Sequence, residues 1–338
     1  MFRYYVVLMR KSLCRCVLPL AFSLAVVAIA QADNGAPTGD ALNLDPLIGE
    51  CKANNWSLGF VLRQDFTDIS LFDCPTAETL KSAVGSRVSL TFDELAHTTS
   101  VSVDGLAAGA LRYYGEGEPF LGLVLGPYVQ GTGMYQFESP SSPSKTIDTV
   151  TAGAYAEVGF DSRINWQNYF RIRGGEVYGN SGTIGSDTII GEWIPVYDPL
   201  RIGTTGFVYG TRIDYLFSPE LMAQYDQLVY GPNKYVLFST SNEALRIGPE
   251  GVLKLWVDAR HISDPLLEMI AERTTISITY HASWDAYSGR SYSWLQPVLT
   301  YNLDRDGHFA LSASYGYGNS ETTANMTSQF KLGLAGKF

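Results

Sequence analysis

From residue 150 to its end the chain alternates. In the last segment Phe330, Leu332, Leu334, Gly336 and Phe338 fall on one side, and Lys331, Gly333, Ala335 and Lys337 on the other. Successive side chains of a strand point to opposite faces, so a period of two commits such a segment to a sheet with one apolar face. The same pattern runs through Val150–Phe160, Phe207–Phe217, Leu253–Ala259, Ile276–Trp284, Leu295–Leu303 and Phe309–Tyr317. After residue 32 no stretch reaches the ~18 consecutive apolar residues of a helical membrane span. The apolar content must therefore be buried, or faced to lipid, by strands.

The first residues read differently. Arg3, Arg10, Lys11 and Arg15 precede an apolar run from Val17 to about Ala30, and Ala30-Gln31-Ala32 places small residues at a cleavage position. This is the layout of a secretory signal peptide, expected over 1–32. Cys51 and Cys74 then remain as an even pair in an exported chain, and a disulfide between them is expected. The net charge of −10 argues against a nucleic-acid binder, which usually carries a basic face.

Alternation also suits a periplasmic β-sandwich, but two features favour a membrane barrel. Tyr301, Phe309 and Phe338 fall at one level of the strands, and Trp284, Tyr317 and Phe330 near the other, as two aromatic girdles would. Connections also alternate between short turns (near 114–119, 161–164, 197–202, 230–234 and 303–307) and outer loops (138–146, 176–183, 217–222, 241–250 and 318–325). A final alternating strand that closes on a terminal Phe resembles the last strand of bacterial outer-membrane β-barrel proteins, whose assembly machinery reads such an ending. The resemblance is to the porin-like superfamily and not to one member. It implies an all-β fold, a closed antiparallel transmembrane β-barrel of 12–14 strands in the bacterial outer membrane. Phe338 would be the assembly signal, and membrane lipid and lipopolysaccharide would surround the wall.

The barrel is expected over 84–338, with 33–83 as an N-terminal tail or plug. A spanning strand cannot hold Cys51 within the ~7 Å of Cys74 that a disulfide needs. Either the thiols stay free or 51–74 is stapled away from the wall. Asp264 followed by Pro265 and by Leu266, Leu267 and Ile270 predicts a short helix at the periplasmic mouth. It would either constrict the lumen or cover the barrel floor.

No phosphate loop, zinc spacing or G-x-S-x-G elbow occurs, and no cofactor or metal is expected. His281-Ala282-Ser283 resembles the His-x-Ser pair of outer-membrane phospholipase A and the lipid A deacylases, in which His activates Ser against a lipid ester. Those enzymes turn the pair toward lipid. Here Ile276, Ile278 and Trp284 claim that face, so His281 and Ser283 point inward. The lumen-lining set is then Tyr155, Glu157, Asp161, Arg212, Asp214, Lys254, Asp258, Arg260, His281, Ser283 and Asp285; with Lys331, also inward, it holds five acids against four bases and is nearly balanced in charge. The expected function is a passive channel for small solutes and not an enzyme. The alternatives are a lipid hydrolase using His281 and Ser283, and a structural or surface-interaction barrel with a packed lumen.

Overall fold

The computed structural model describes residues 56–66, 83, 85–95, 97–117, 120–137, 145–162, 166–179, 183–209, 211–231, 242–258, 262–319 and 326–337. Its strands are β1 (Trp56–Arg63), β2 (Ser86–Asp93), β3 (Thr98–Gly117), β4 (Phe120–Gln136), β5 (Lys145–Ser162), β6 (Trp166–Gly179) and β7 (Ile184–Tyr197). There follow β8 (Thr205–Phe207), β9 (Ile213–Tyr230), β10 (Glu243–Val257), β11 (Thr274–Asp285), β12 (Ser291–Asn302), β13 (Phe309–Asn319) and β14 (Met326–Gly336), with one α-helix among the described residues, α1 (Pro265–Arg273), between β10 and β11.

Twelve strands close the wall. Each pairs antiparallel with its neighbour from β2 round to β14, β7 pairs past the short β8 with β9, and β14 returns to β2 through Leu332↔Leu90 and Gly336↔Ser86. Full closure leaves no edge along these twelve. Outward positions carry Leu90, Ile172, Ile189, Leu299, Leu332 and Leu334, all exposed. Inward positions on the same strands carry Thr91, Arg171, Thr188, Thr300 and Ala335, all buried. This inversion of the soluble-protein rule is what a hydrocarbon solvent demands. At one rim the rings of Tyr113, Phe120, Phe160 and Phe170 follow one another at 6.1–6.4 Å, and Trp166 meets Tyr197 at 5.0 Å. We therefore expect Leu332→Arg, in mid-wall, to cost about 2–4 kcal/mol of folding free energy in lipid vesicles. Gln329→Arg on the inner face should cost far less, because Gln329 already lies 3.3 Å from Asp93.

The strand count falls at the lower bound of 12–14 because β9 is one continuous strand. Pro219 and the inward-facing Met222 break its alternation, so 217–222 reads as a loop from sequence, but both pair through β10. The end of β9 at Tyr230 and the start of β10 at Glu243 consequently lie at the rim opposite the end of β14, and most of 241–250 lies in β10. The strand predicted from Phe207 to Phe217 divides into β8, a turn in which Val208 N–H donates to Ile213, and the start of β9. Pro297 is tolerated within β12 because the β12–β13 ladder skips Gln296 and Pro297, and Gln296 reaches Ser314 Oγ at 3.3 Å instead.

β1 and β2 occupy one place in the wall. β1 pairs with Leu106–Tyr113 of β3 and β2 with Thr98–Asp104 of the same strand, both antiparallel. They are two collinear halves of a split strand. Ser86 Oγ donates to the carbonyl of Arg63 at 2.5 Å across the break. The wall thus begins before the expected boundary at residue 84, with a break between Arg63 and Ser86.

Helix α1 starts as expected. Asp264 accepts from Leu266 and Leu267 N–H at 2.9 and 3.1 Å, and Pro265 opens the first turn. It touches β10 and β12 and buries none of its residues, leaving Leu266 and Leu267 exposed. In the 303–308 turn Asp304 accepts from Phe309 N–H at 2.7 Å and His308 N–H at 2.9 Å. Partial burial alone would raise this carboxyl, but those amides outweigh it and hold it below the usual aspartate range. A carboxyl held low stabilises while ionised. Its contribution is full above the ordinary value of about 3.9 and is lost as pH falls through the lower folded-state value. Hydrogen-exchange protection of the His308 and Phe309 amides, corrected for intrinsic rates, should fall in that acid range and be flat in Asp304→Asn.

Candidate functional site

The site is the barrel interior, and it is built where β1 breaks. Phe66 follows the break and is fully buried. Its seat is prepared by small inward residues on β3, Ala108 and Ala110, with Leu106, Val124 and Val61 around them. Two tyrosines close over the ring edge-on, Tyr128 at 5.0 Å and Tyr155 at 5.4 Å. Tyr155 reaches across β4 to the Gly109 carbonyl at 2.8 Å. It can do so because Gly126, its partner in register, has no side chain: a Cβ there would stand 1.8 Å from the Gly109 oxygen.

Two guanidinium groups hold the other side. Arg171 donates through Nε to Glu157 at 2.7 Å, and through Nη1 to Glu192 at 3.1 Å and to the Phe66 carbonyl at 2.9 Å. Arg173 donates to Glu192 at 2.7 Å, and its guanidinium lies 4.8 Å from the Phe66 ring centre. Glu157, Arg171 and Glu192 are 1, 1 and 3 % exposed. Bridges this deep persist only when their hydrogen bonds are nearly complete, since removing the charges from water costs several kcal/mol per ion. Arg246 donates to Asp226 at 2.7 Å nearer the opposite rim.

The charges are sorted by side. Buried Arg63, Arg87, Arg112 and the half-buried Lys331 gather on β1, β2, β3 and β14, where Asp104 lies 3.5 Å from Arg87 and 3.8 Å from Lys331. Six strands away, Glu192, Glu220, Asp226 and Glu250 line β7, β9 and β10 and outnumber the inward bases Arg246 and Lys254 of β10. The lumen therefore has a base-rich wall facing an acid-rich wall.

The predicted lining residues divide. Tyr155, Glu157, Lys254, Ser283 and Asp285 are inward and buried, and His281 is inward and partly buried. Asp285 is spent on the 286–290 loop, accepting from Tyr287 N–H at 3.0 Å and Ser288 Oγ at 2.5 Å. Asp161 and Asp214 are half-buried near strand ends. Arg212 is not on the wall. It is exposed in the tight turn before β9, its carbonyl accepting from Asp258 N–H at 2.8 Å. Asp258 lies just beyond β10. Arg260, Phe338 and the proposed Cys51–Cys74 pair lie outside the described residues. His281 and Ser283 share the inner face of β11, and His281 Nδ1 is 3.7 Å from Glu250.

Phe66, Arg171, Arg173, Glu192, Glu220, Arg246 and Asp226 were not legible as lining. Arg171 and Arg173 do alternate with Phe170 and Ile172, which was a usable signal. Glu192 was hidden because its inward neighbours on β7 are Ile190 and Ile194, so both faces of that strand read as apolar.

No protein-family model matches the chain, and no curated relative does. Solved structures with the same general architecture include outer membrane phospholipase A from Escherichia coli, at 13 % identity over 77 % of this chain and 96 % of that one, TM-score 0.42. Others are an outer membrane channel from Pseudomonas putida F1 (12 %, 90 % and 100 %, TM-score 0.38) and an anion-selective porin from Comamonas acidovorans (8 %, 84 % and 100 %, TM-score 0.33). Likeness at this level is of barrels to barrels and carries no activity across.

Proposed function

We propose that this chain is a bacterial outer-membrane channel for small hydrophilic solutes whose passage is governed by segment 64–85. The carrying observation is the seat of Phe66: just past the break in the wall an aromatic ring stands in the interior, against Arg171, Arg173, Tyr128 and Tyr155. The apolar exterior suits lipid and the charged interior suits water and polar solutes. Cys51 and Cys74 are proposed as a disulfide. The hydrolase reading draws less support, because His281 and Ser283 face the lumen, whereas an enzyme attacking membrane lipid from its wall presents them outward.

The test is single-channel conductance of the purified full chain in planar bilayers. We expect rare, small steps that grow more frequent with reductant. A barrel verified as inserted and heat-modifiable that stays silent both as the intact chain and after segment 64–85 is excised would overturn the reading.

A further inference from the structure

A row of ionisable groups crosses six neighbouring strands on the inner face: Glu157, Arg171, Glu192, Glu220, Glu250 and His281. Glu157 pairs in register with Arg171 and Arg171 with Glu192, Glu220 stands directly opposite Glu250, and Glu250 directly opposite His281. At the first end charge is matched, because Arg171 and Arg173 are taken by Glu157 and Glu192. At the second end two carboxylates face each other. Glu220 is 5 % exposed and its Oε2 has no hydrogen-bond partner. Its charged neighbours are Arg171, Glu192, Glu250 and Glu157, three acids against one base already engaged twice. From the other side His281 stands 3.7 Å from Glu250, and Lys254 lies two inward positions along β10.

Glu220 is buried with one carboxylate oxygen unpartnered, and the partly buried Glu250 opposite it has His281 at 3.7 Å on its far side; a buried carboxylate beside a second one is costly without a further positive partner. We propose that Glu220 and Glu250 bind a compact monovalent cation between them, an alkali-metal ion or a primary ammonium head. A divalent ion such as calcium requires six to eight oxygens, and two carboxylates supply too few. The site is a property of the wall and does not depend on the interior being open.

The test therefore reads binding and not conductance. The thermal midpoint of the full chain in detergent is measured at equal concentrations of potassium chloride, methylammonium chloride and N-methylglucamine chloride, the last too bulky to enter. Potassium, methylammonium or both should raise the midpoint by on the order of 2–4 °C over N-methylglucamine. The salt that acts identifies the source of the cation. Glu220→Gln and Glu250→Gln should each abolish the difference. Equal midpoints in all three salts, or a difference that survives both substitutions, would overturn the proposal. Because Glu220→Gln could fold poorly, the infrared spectrum of the unaltered chain gives a second reading. A protonated-carboxyl band that is lost in Glu250→Gln would mean that a shared proton holds the pair and no cation is needed. Absence of that band in potassium chloride supports the site.

Discussion

Replacing residues 64–85 with a two- or three-residue Gly/Ser link will convert a nearly silent barrel into one with stable ohmic steps. The break allows the graft, because Ser86 already reaches the Arg63 carbonyl at 2.5 Å. No wall pairing is lost, since β1 and β2 each keep β3 and β2 keeps β14. What goes is the Phe66 ring and the carbonyl that Arg171 grips. Phe66→Ala alone should act in the same direction but less, since it removes the ring and leaves the rest of the segment. If the grafted barrel inserts, resists unfolding like its parent and still conducts nothing, the channel reading is overturned.

The second large effect concerns Arg171. Arg171→Ala leaves the buried Glu157 and Glu192 without their shared partner, and frees the Phe66 carbonyl. Breaking a buried pair by deleting one member costs ~3–5 kcal/mol. Here one deletion breaks two ion pairs, which puts the expected loss at the upper end. It should show as a lower urea midpoint for folding into lipid vesicles, with little change in denaturant slope if the wall itself is intact. Exposed Arg201, paired with Asp198 in a rim turn at 3.0 Å, is the contrast. Its removal should cost within ~1 kcal/mol.

How much of this was legible follows from what sequence pattern encodes. Between residues 274 and 336 each strand has lipid on one side and polar lumen on the other, and the alternation gave strands, facing and turns together. Asp264 and Pro265 announced the helix for equally local reasons. Where the lumen itself turns apolar, with Ile184, Ile190 and Ile194 on β7 and Met222 and Leu228 on β9, the two faces cease to differ and the period vanishes. The ion pairs failed for another reason. Glu157, Arg171 and Glu192 meet only through cross-strand register, and Phe66 meets Arg171 only because a split strand returns the chain to the interior. Trp56–Arg63 forms β1, but nothing local to it says that its continuation in the wall begins at Ser86.

The sorting of lumen charge has an effect on anything that enters. Bases on the β1–β3 and β14 side and acids on the β7–β10 side behave like the plates of a small capacitor set across the axis. A zwitterion between them is torqued until its carboxylate end faces Arg87 and Arg112 and its ammonium end faces Glu220 and Glu250. In the proposed channel a molecule with separated charges would gain from this alignment, while an uncharged molecule of equal size would gain nothing. Permeability of such a barrel would then rank solutes by dipole moment before it ranks them by net charge.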